Sequence, residues 1–315
     1  MATWSIIAID RRTQQTGVIT ATCLDRAFFE ENAHNFLEHS FTFVPCKGGI
    51  QAQAMIQDEK GPAATLGRRL LDAGTDPSEI IQAITTPELD GELIVVSNDA
   101  AGEPPYSEAL YKLRQYGIVD FAGRAAGYTP PELTNLYEYF GFLDSEETSI
   151  QGLSGDYVYS VQGNIVADGV VNATGRAFEN DADACDFVAR LFAAIQAGMA
   201  AGGDVRCAPD IGAVLAFVKV VGPMGQVQID LRVSVTQAES VSALDRLQEL
   251  YSQWRVDHPC GSLSENSTYC DGATGNPAPA NPSTTSSSSF HGVHYVLQLV
   301  VASSVTFFVE MLCIM

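Results

Sequence analysis

A strongly apolar run opens the chain almost from the first position. Thr3-Trp4-Ser5-Ile6-Ile7-Ala8-Ile9-Asp10 is rich in β-branched and aromatic residues and predicts a strand, and the polar run through Gly17 leads into a second strand over 17–23. Two such runs joined by a short polar segment with glycine predict a hairpin. Residues 26–39 read as helical or irregular, and Phe41–Val44 and 49–56 as extended. Pro62–Asp72 predicts a helix with proline in its first turn. A further helix starts at Asp76-Pro77-Ser78-Glu79, where Asp76 can cap the free N–H groups and Pro77 sits where no intrahelical donor is needed. Residues 92–96 read as a strand, and 114–128 as a second hairpin turning at Phe121-Ala122-Gly123. The polar stretch 130–154 reads as a loop-rich insertion.

Strand character returns over 157–164. Within 183–201, Phe187, Val188, Leu191, Phe192 and Ile195 recur at helical spacing, and Ala201-Gly202-Gly203-Asp204 is a stop signal. Residues 211–220 and 226–235 predict a third hairpin around Gly222-Pro223-Met224-Gly225. A last amphipathic helix over 240–254 gathers Val241, Leu244, Leu247, Leu250 and Tyr251 on one side. Hairpin-joined strands with separate helices make an α+β chain. We find no internal repeat. The folded domain is expected to span 1–258. Beyond it, 259–290 is rich in Ser, Thr, Asn and Pro and buries too little apolar surface to order itself. Residues 291–315 form an apolar tail, near the minimum length for a membrane span.

Small residues at 283–289, a short spacer and that apolar run match a glycosylphosphatidylinositol-anchor signal; a retained tail anchor and a mistranslated gene end compete with it. The acceptor patterns at Asn172 and Asn266 fit a secretory route, an extracellular or cell-surface glycoprotein held at the membrane. Met1-Ala2-Thr3 enters a strand at once, with no signal peptide in this chain, and that conflict stays open.

With 46% hydrophobic residues in 315, the chain can bury a substantial core. A formal net charge of −21 repels phosphate backbones, so nucleic acid is excluded as the expected partner. The seven cysteines include no CxxC pair, and the five histidines show no ligand spacing, so no metal is expected. No cofactor is expected either, because the glycine-rich segments lack phosphate-loop spacing. Cys260 and Cys270 are read either as a local disulfide in an oxidising compartment or as two free thiols.

Four blocks in order carry a resemblance. They are Thr3 to Asp10 with Thr16-Gly17-Val18; Arg114-Gln115-Tyr116-Gly117-Ile118-Val119-Asp120 through Gly123-Arg124 to Tyr128-Thr129; Tyr159-Ser160-Val161-Gln162-Gly163-Asn164; and Ala201-Gly202-Gly203-Asp204 with Arg206. Together they resemble a mostly bacterial family, domain of unknown function 1028. The resemblance implies an N-terminal-nucleophile (Ntn) hydrolase-like fold, a four-layer αββα sandwich of two antiparallel sheets between helices. It departs after Arg206, at Cys207-Ala208-Pro209-Asp210, and makes 130–154 an addition.

In hydrolases of that type the first residue of the mature chain is the nucleophile and its own α-amine the base. Thr3, where the first strand starts, is the candidate; its alternative is a strand-edge residue chosen for β-propensity. Ser5 is the second hydroxyl on the same strand face, or else a core hydroxyl bonded to backbone. Lys47 with the amides of Gly48 and Gly49 supplies a candidate cation and oxyanion hole, or a surface lysine in a glycine turn. Gln162 and Asn164, and the pair Asp204 and Arg206, are candidate substrate contacts or structural groups. The expected activity is hydrolysis of amide bonds in small peptides or amidated metabolites through an acyl-enzyme; the alternative is a non-catalytic surface-displayed binding protein that keeps the fold. Partners are then a small-molecule or peptide substrate, the membrane through the tail, and a second copy if the chain forms a homo-oligomer.

Overall fold

The computed structural model describes residues 3–24, 40–55, 61–96, 104–180, 186–208, 211–236, 239, 241–259, 270–271 and 276–277. The expectations for 26–39, Cys260, Asn266 and the apolar tail fall outside these residues. Met1–Ala278 forms one compact unit, and Pro279–Met315, a second, also lies outside them.

Strand β1, Thr3–Asp10, turns through 11–14 into β2, Gln15–Thr22. β3, Phe41–Val44, pairs with β4, Gly48–Ala54. Helices α1, Pro62–Asp72, and α2, Pro77–Ile84, follow; the Asp76 carboxylate caps α2 by accepting from the Ser78 amide. After the short helix α3, Pro87–Asp90, β5, Leu93–Val96, pairs with β6, Tyr106–Ala109. β7, Arg114–Asp120, then pairs with β8, Ala125–Tyr128. Helix α4, Pro131–Tyr139, leads to β9, Glu146–Ser154, and β10, Tyr157–Val166. Helices α5, Val170–Asn180, and α6, Phe187–Ala200, precede β11, Leu215–Val221, and β12, Val227–Ser234. Helix α7, Ala243–Asp257, and the two-residue strands β13, Cys270–Asp271, and β14, Asn276–Pro277, complete the unit.

The class is α+β. One antiparallel sheet has the order β12-β11-β2-β1-β10-β9 and a second the order β3-β4-β7-β8. Strand alternation decides what each face covers. On β1, Trp4, Ile6 and Ala8 join a core with Phe178, Leu191 and Leu247 from α5, α6 and α7. Ile7 and Ile9 point the other way and meet Val119 of β7, together with Val18, Val158 and Phe217. The far face of the second sheet, Ile50, Tyr116 and Ile118, packs on Ala63 and Leu71 of α1 and Ile80 and Ile84 of α2. Helix α6 approaches β2 closely because residue 17 has no side chain: a Cβ there would lie 2.7 Å from Leu191 Cδ1 and 2.9 Å from Phe187 Cε1.

The three predicted hairpins form. The stretch 130–154 is not a loop-rich insertion: it holds α4 and β9, and β9 extends the large sheet by pairing with β10. Helix α5 was not anticipated. Past His258, β13 pairs with β14, and Cys270 is covalently tied back to the second sheet.

That tie corrects the cysteine reading. Cys270 bonds Cys46, in the turn between β3 and β4, and not Cys260; Cys23 bonds Cys207. The Cα atoms in both pairs lie within disulfide range, at 5.5 Å and 5.4 Å. Bridges across sequence separations of 184 and 224 residues close long loops, which spacing along the chain could not reveal. Peptide mapping without reductant is expected to recover the Cys23–Cys207 and Cys46–Cys270 cross-linked pairs. A Cys260–Cys270 peptide in their place would contradict this connectivity.

Candidate active site

The space between the two sheets is divided. One end is apolar, filled by Ile7, Ile9, Val18, Phe41, Val119 and Phe217. At the other end the inward positions of five strands are polar: Thr3 and Ser5 on β1, Thr20 on β2, Gln51 and Gln53 on β4, Gln115 on β7, and Ser160, Gln162 and Asn164 on β10, all buried. Register brings them together, since Thr3 lies opposite Asn164 and Ser5 opposite both Gln162 and Thr20. On the other sheet Gln53 lies opposite Gln115.

Hydrogen bonds join the two sets. Gln53 Nε2 donates to the Thr3 carbonyl oxygen at 3.1 Å and to Gln115 Oε1, while Ser5 Oγ donates to Gln53 Oε1 at 2.7 Å. Gln115 Nε2 faces three acceptors, Thr129 Oγ1 at 2.8 Å, the Gly163 carbonyl at 2.9 Å and the Thr148 carbonyl at 3.0 Å. Asn164 Nδ2 donates to Gln115 Oε1 at 3.0 Å, and the Tyr137 hydroxyl to Asn164 Oδ1 at 3.3 Å. Tyr137 is wholly enclosed. Desolvation drives its phenol far above the ordinary tyrosine range, with Arg206 pulling back and Glu147 and Asp204 pushing further up. It therefore stays protonated and acts as a donor.

Two non-glycine residues beside this cluster have left-handed backbone. Ala54, after Gln53, has φ 68°, and Ile165, after Asn164, has φ 51°. For a β-branched residue that is an outlier costing about 1–3 kcal/mol, and such strain is often held at functional sites. Ile165 sits at the irregularity in β10 between Gly163 and Val166, and its amide donates to Glu147 Oε1 at 3.2 Å.

The predicted residues divide accordingly. Thr3, Ser5, Gln162 and Asn164 are brought together. Asp204 and Arg206 pair beside them: Arg206 Nε and Nη2 donate to Asp204 Oδ1 and Oδ2 at 3.0 and 2.7 Å, and Nη2 reaches Thr22 Oγ1 at 3.3 Å. The Asp204 carboxylate also accepts from the Cys23 amide at 2.8 Å.

Lys47, Gly48 and Gly49 lie elsewhere. Gly49 packs at the apolar end, where a Cβ would lie 3.0 Å from Ile7 Cδ1 and 3.1 Å from Phe41 Cε2. Gln53, which holds Thr3, is four residues further along β4, roughly 13 Å away at strand rise. Lys47 thus stands beyond reach of Thr3, and the two glycines supply no oxyanion hole there. Gly48 has a packing reason of its own, since a Cβ would fall 2.1 Å from the Val119 carbonyl oxygen. Asn172 is exposed on α5, with Thr174 of its acceptor pattern buried.

Gln53, Gln115 and Tyr137 were missed. Alternation in Gly48-Gly49-Ile50-Gln51-Ala52-Gln53 put both glutamines on one face, and the usual rule assigns a polar face to water. Among the described residues, no group of three or more His, Cys, Asp or Glu could hold a metal ion. No helix among them is long and apolar enough to cross a membrane.

Gln53→Ala removes the side chain that bridges the sheets at Thr3, and with it one hydrogen bond to the Thr3 carbonyl and one from Ser5 Oγ. The expected loss is about 2 kcal/mol, from the cost of unsatisfied buried polar groups. Denaturant unfolding measures it, and a change below about 0.5 kcal/mol would show that the bridge contributes little.

Comparison with known proteins gives a match over part of the chain. Residues 106–244 match the family of unknown function DUF1028. A crystal structure of a DUF1028 protein from Silicibacter pomeroyi is similar in fold, with a TM-score of 0.54 at 18% identity, covering 84% of this chain and 99% of that one. No curated protein matches the chain. The matched segment runs from β6 into α7 and spans α4 and β9. It also contains Gln115, Tyr137, Gln162, Asn164, Asp204 and Arg206, whereas Thr3, Ser5 and Gln53 precede it.

Proposed function

We propose that the chain is an amide hydrolase of the N-terminal-nucleophile type, built on a four-layer αββα sandwich, with Thr3 as nucleophile once cleavage after Ala2 exposes it. The observation that carries this reading is the placement of Thr3. It begins β1 on the inter-sheet face, its carbonyl is held by Gln53, and it sits at the polar end of an otherwise apolar interface. Ser5 is the second candidate: it lies two residues further into the strand, where no α-amine can serve as its base, and its hydroxyl donates to Gln53 Oε1.

An α-amine titrates near pH 7.7–8.0, so a useful fraction is neutral at physiological pH. The Thr3 Oγ–H gives its proton to that amine as Oγ bonds to the substrate carbonyl carbon. The tetrahedral intermediate collapses by breaking the C–N bond, and the ammonium returns the proton to the departing amine. Water then attacks the Thr3 ester, releasing the acid and restoring the hydroxyl. The expected substrates are small peptides or amidated metabolites.

Incubating protein that begins at Thr3 with a panel of acyl p-nitroanilides and p-nitrophenyl esters tests the proposal. Release of p-nitroaniline, together with an acyl adduct that intact-mass and peptide analysis assign to Thr3, is the expected result. A chain that starts at Thr3, is folded and yields neither product nor adduct would point instead to the non-catalytic binding protein.

A further inference from the structure

We infer that Asn164 is the oxyanion donor of this site, with Tyr137 and Gln115 positioning its amide; the inference rests on the assignment of Thr3 as nucleophile. An acyl transfer at Thr3 needs a hydrogen-bond donor fixed where negative charge develops on the substrate carbonyl oxygen. The glycine turn at 47–49 stands too far along β4 to provide one. Asn164 is the residue directly opposite Thr3 across the β1–β10 pair, on the same inter-sheet face. Directly opposed residues have Cβ atoms about 4.5–5.5 Å apart, close enough for one carbonyl to touch both side chains.

The network leaves no choice in how the Asn164 amide is turned. The two backbone carbonyls facing Gln115, those of Thr148 and Gly163, only accept, so the Nε2 of Gln115 must point at them. Its Oε1 therefore faces Asn164 and requires the Nδ2 of that residue, at 3.0 Å. Asn164 Oδ1 is then left facing the Tyr137 hydroxyl, which stays protonated and donates to it at 3.3 Å. An asparagine amide has two N–H groups. Gln115 takes one, and the second has no acceptor among the described residues although the side chain is wholly buried. A buried N–H in that condition is met by water or by a ligand, and is open to a substrate carbonyl that displaces the water. The left-handed Ile165 immediately after Asn164 is consistent with a backbone bent to hold this residue in place.

The test compares wild type, Asn164→Ala, Tyr137→Phe and Thr3→Ala, each beginning at residue 3, on the fastest p-nitroanilide of the panel. A peptide aldehyde, whose hemiacetal with Thr3 imitates the tetrahedral intermediate, is titrated in parallel. Asn164→Ala is expected to lower kcat by about 10²–10³-fold with KM changed less than about threefold. Aldehyde affinity should fall with kcat, which a merely structural role would not produce. Tyr137→Phe keeps the ring that packs against Leu133 and Leu136 and should lower kcat roughly tenfold, again at constant KM. Should Asn164→Ala fail to fold, Tyr137→Phe decides. Activity lost in Thr3→Ala but kept within about threefold in folded Asn164→Ala, or in Tyr137→Phe where Asn164→Ala does not fold, overturns the assignment of Asn164 alone. A wild-type chain beginning at Thr3 that turns over nothing and forms no adduct overturns the nucleophile, and this inference with it.

Discussion

Replacing Thr3 by alanine is expected to lower kcat on the same substrates by on the order of 10³–10⁶-fold, the loss that follows deletion of a covalent nucleophile. The α-amine survives when alanine stands at the head of the mature chain, but no hydroxyl is left for it to deprotonate. Thr3→Ser retains the hydroxyl and should keep measurable turnover. The Gln53 bond to the residue 3 carbonyl is retained, because alanine carries the same carbonyl. Initial rates and melting curves on the three proteins check this. Full activity in a folded Thr3→Ala protein would remove Thr3 from the chemistry.

The largest stability effect is expected at the margin of the site. Asp90, at the end of α3, and Arg114, the first residue of β7, have side chains only 5% exposed each. Arg114 Nη2 donates to Asp90 Oδ1 at 3.0 Å, Nε donates to Oδ2, and Nη1 reaches the Met55 carbonyl. Arg114 pairs in register with Ala54, the left-handed residue that ends β4. Asp90→Ala strands a buried guanidinium, which costs about 3–5 kcal/mol. At 2–4 °C per kcal/mol for a domain near this size, melting should fall by roughly 10 °C. The double substitution Asp90→Ala with Arg114→Met should recover much of that loss, because a buried pair replaced by apolar groups is often neutral. A shift below about 2 °C in the single variant would contradict this reading of the pair.

What the sequence reveals follows from how far each signal reaches. Strand β1, the three hairpins, α1, α2 and α6 are written in local pattern: alternation, a Pro at the first helical position, an Asp cap, a Gly-Gly stop. Helix α4 is masked by Pro130-Pro131 and by Glu132, Thr134 and Asn135, although Leu133, Leu136 and Tyr137 already stand at helical spacing. Helix α5 buries Val170, Thr174 and Phe178 on one stripe, but Thr174 and Gly175 dilute it. Edge strand β9 carries a mixed face and gives almost no alternation.

The site shows the same limit more sharply. Thr3, Gln162 and Asn164 could be singled out along the chain, and β-pairing joins them. Gln53 and Gln115 lie far apart in sequence and meet only because two sheets stack, and period two cannot say which face of a strand is inward. The cysteine pairs depend on the same long-range geometry.

All the chemistry depends on where the mature chain begins. Mass spectrometry of the N-terminal peptide of the protein isolated from its native host measures that directly. The expected terminus is Thr3, with a free α-amine one strand spacing from Asn164. A terminus at Met1 or Ala2 in all the isolated protein would leave Thr3 acylated, without its base, and would contradict the hydrolase.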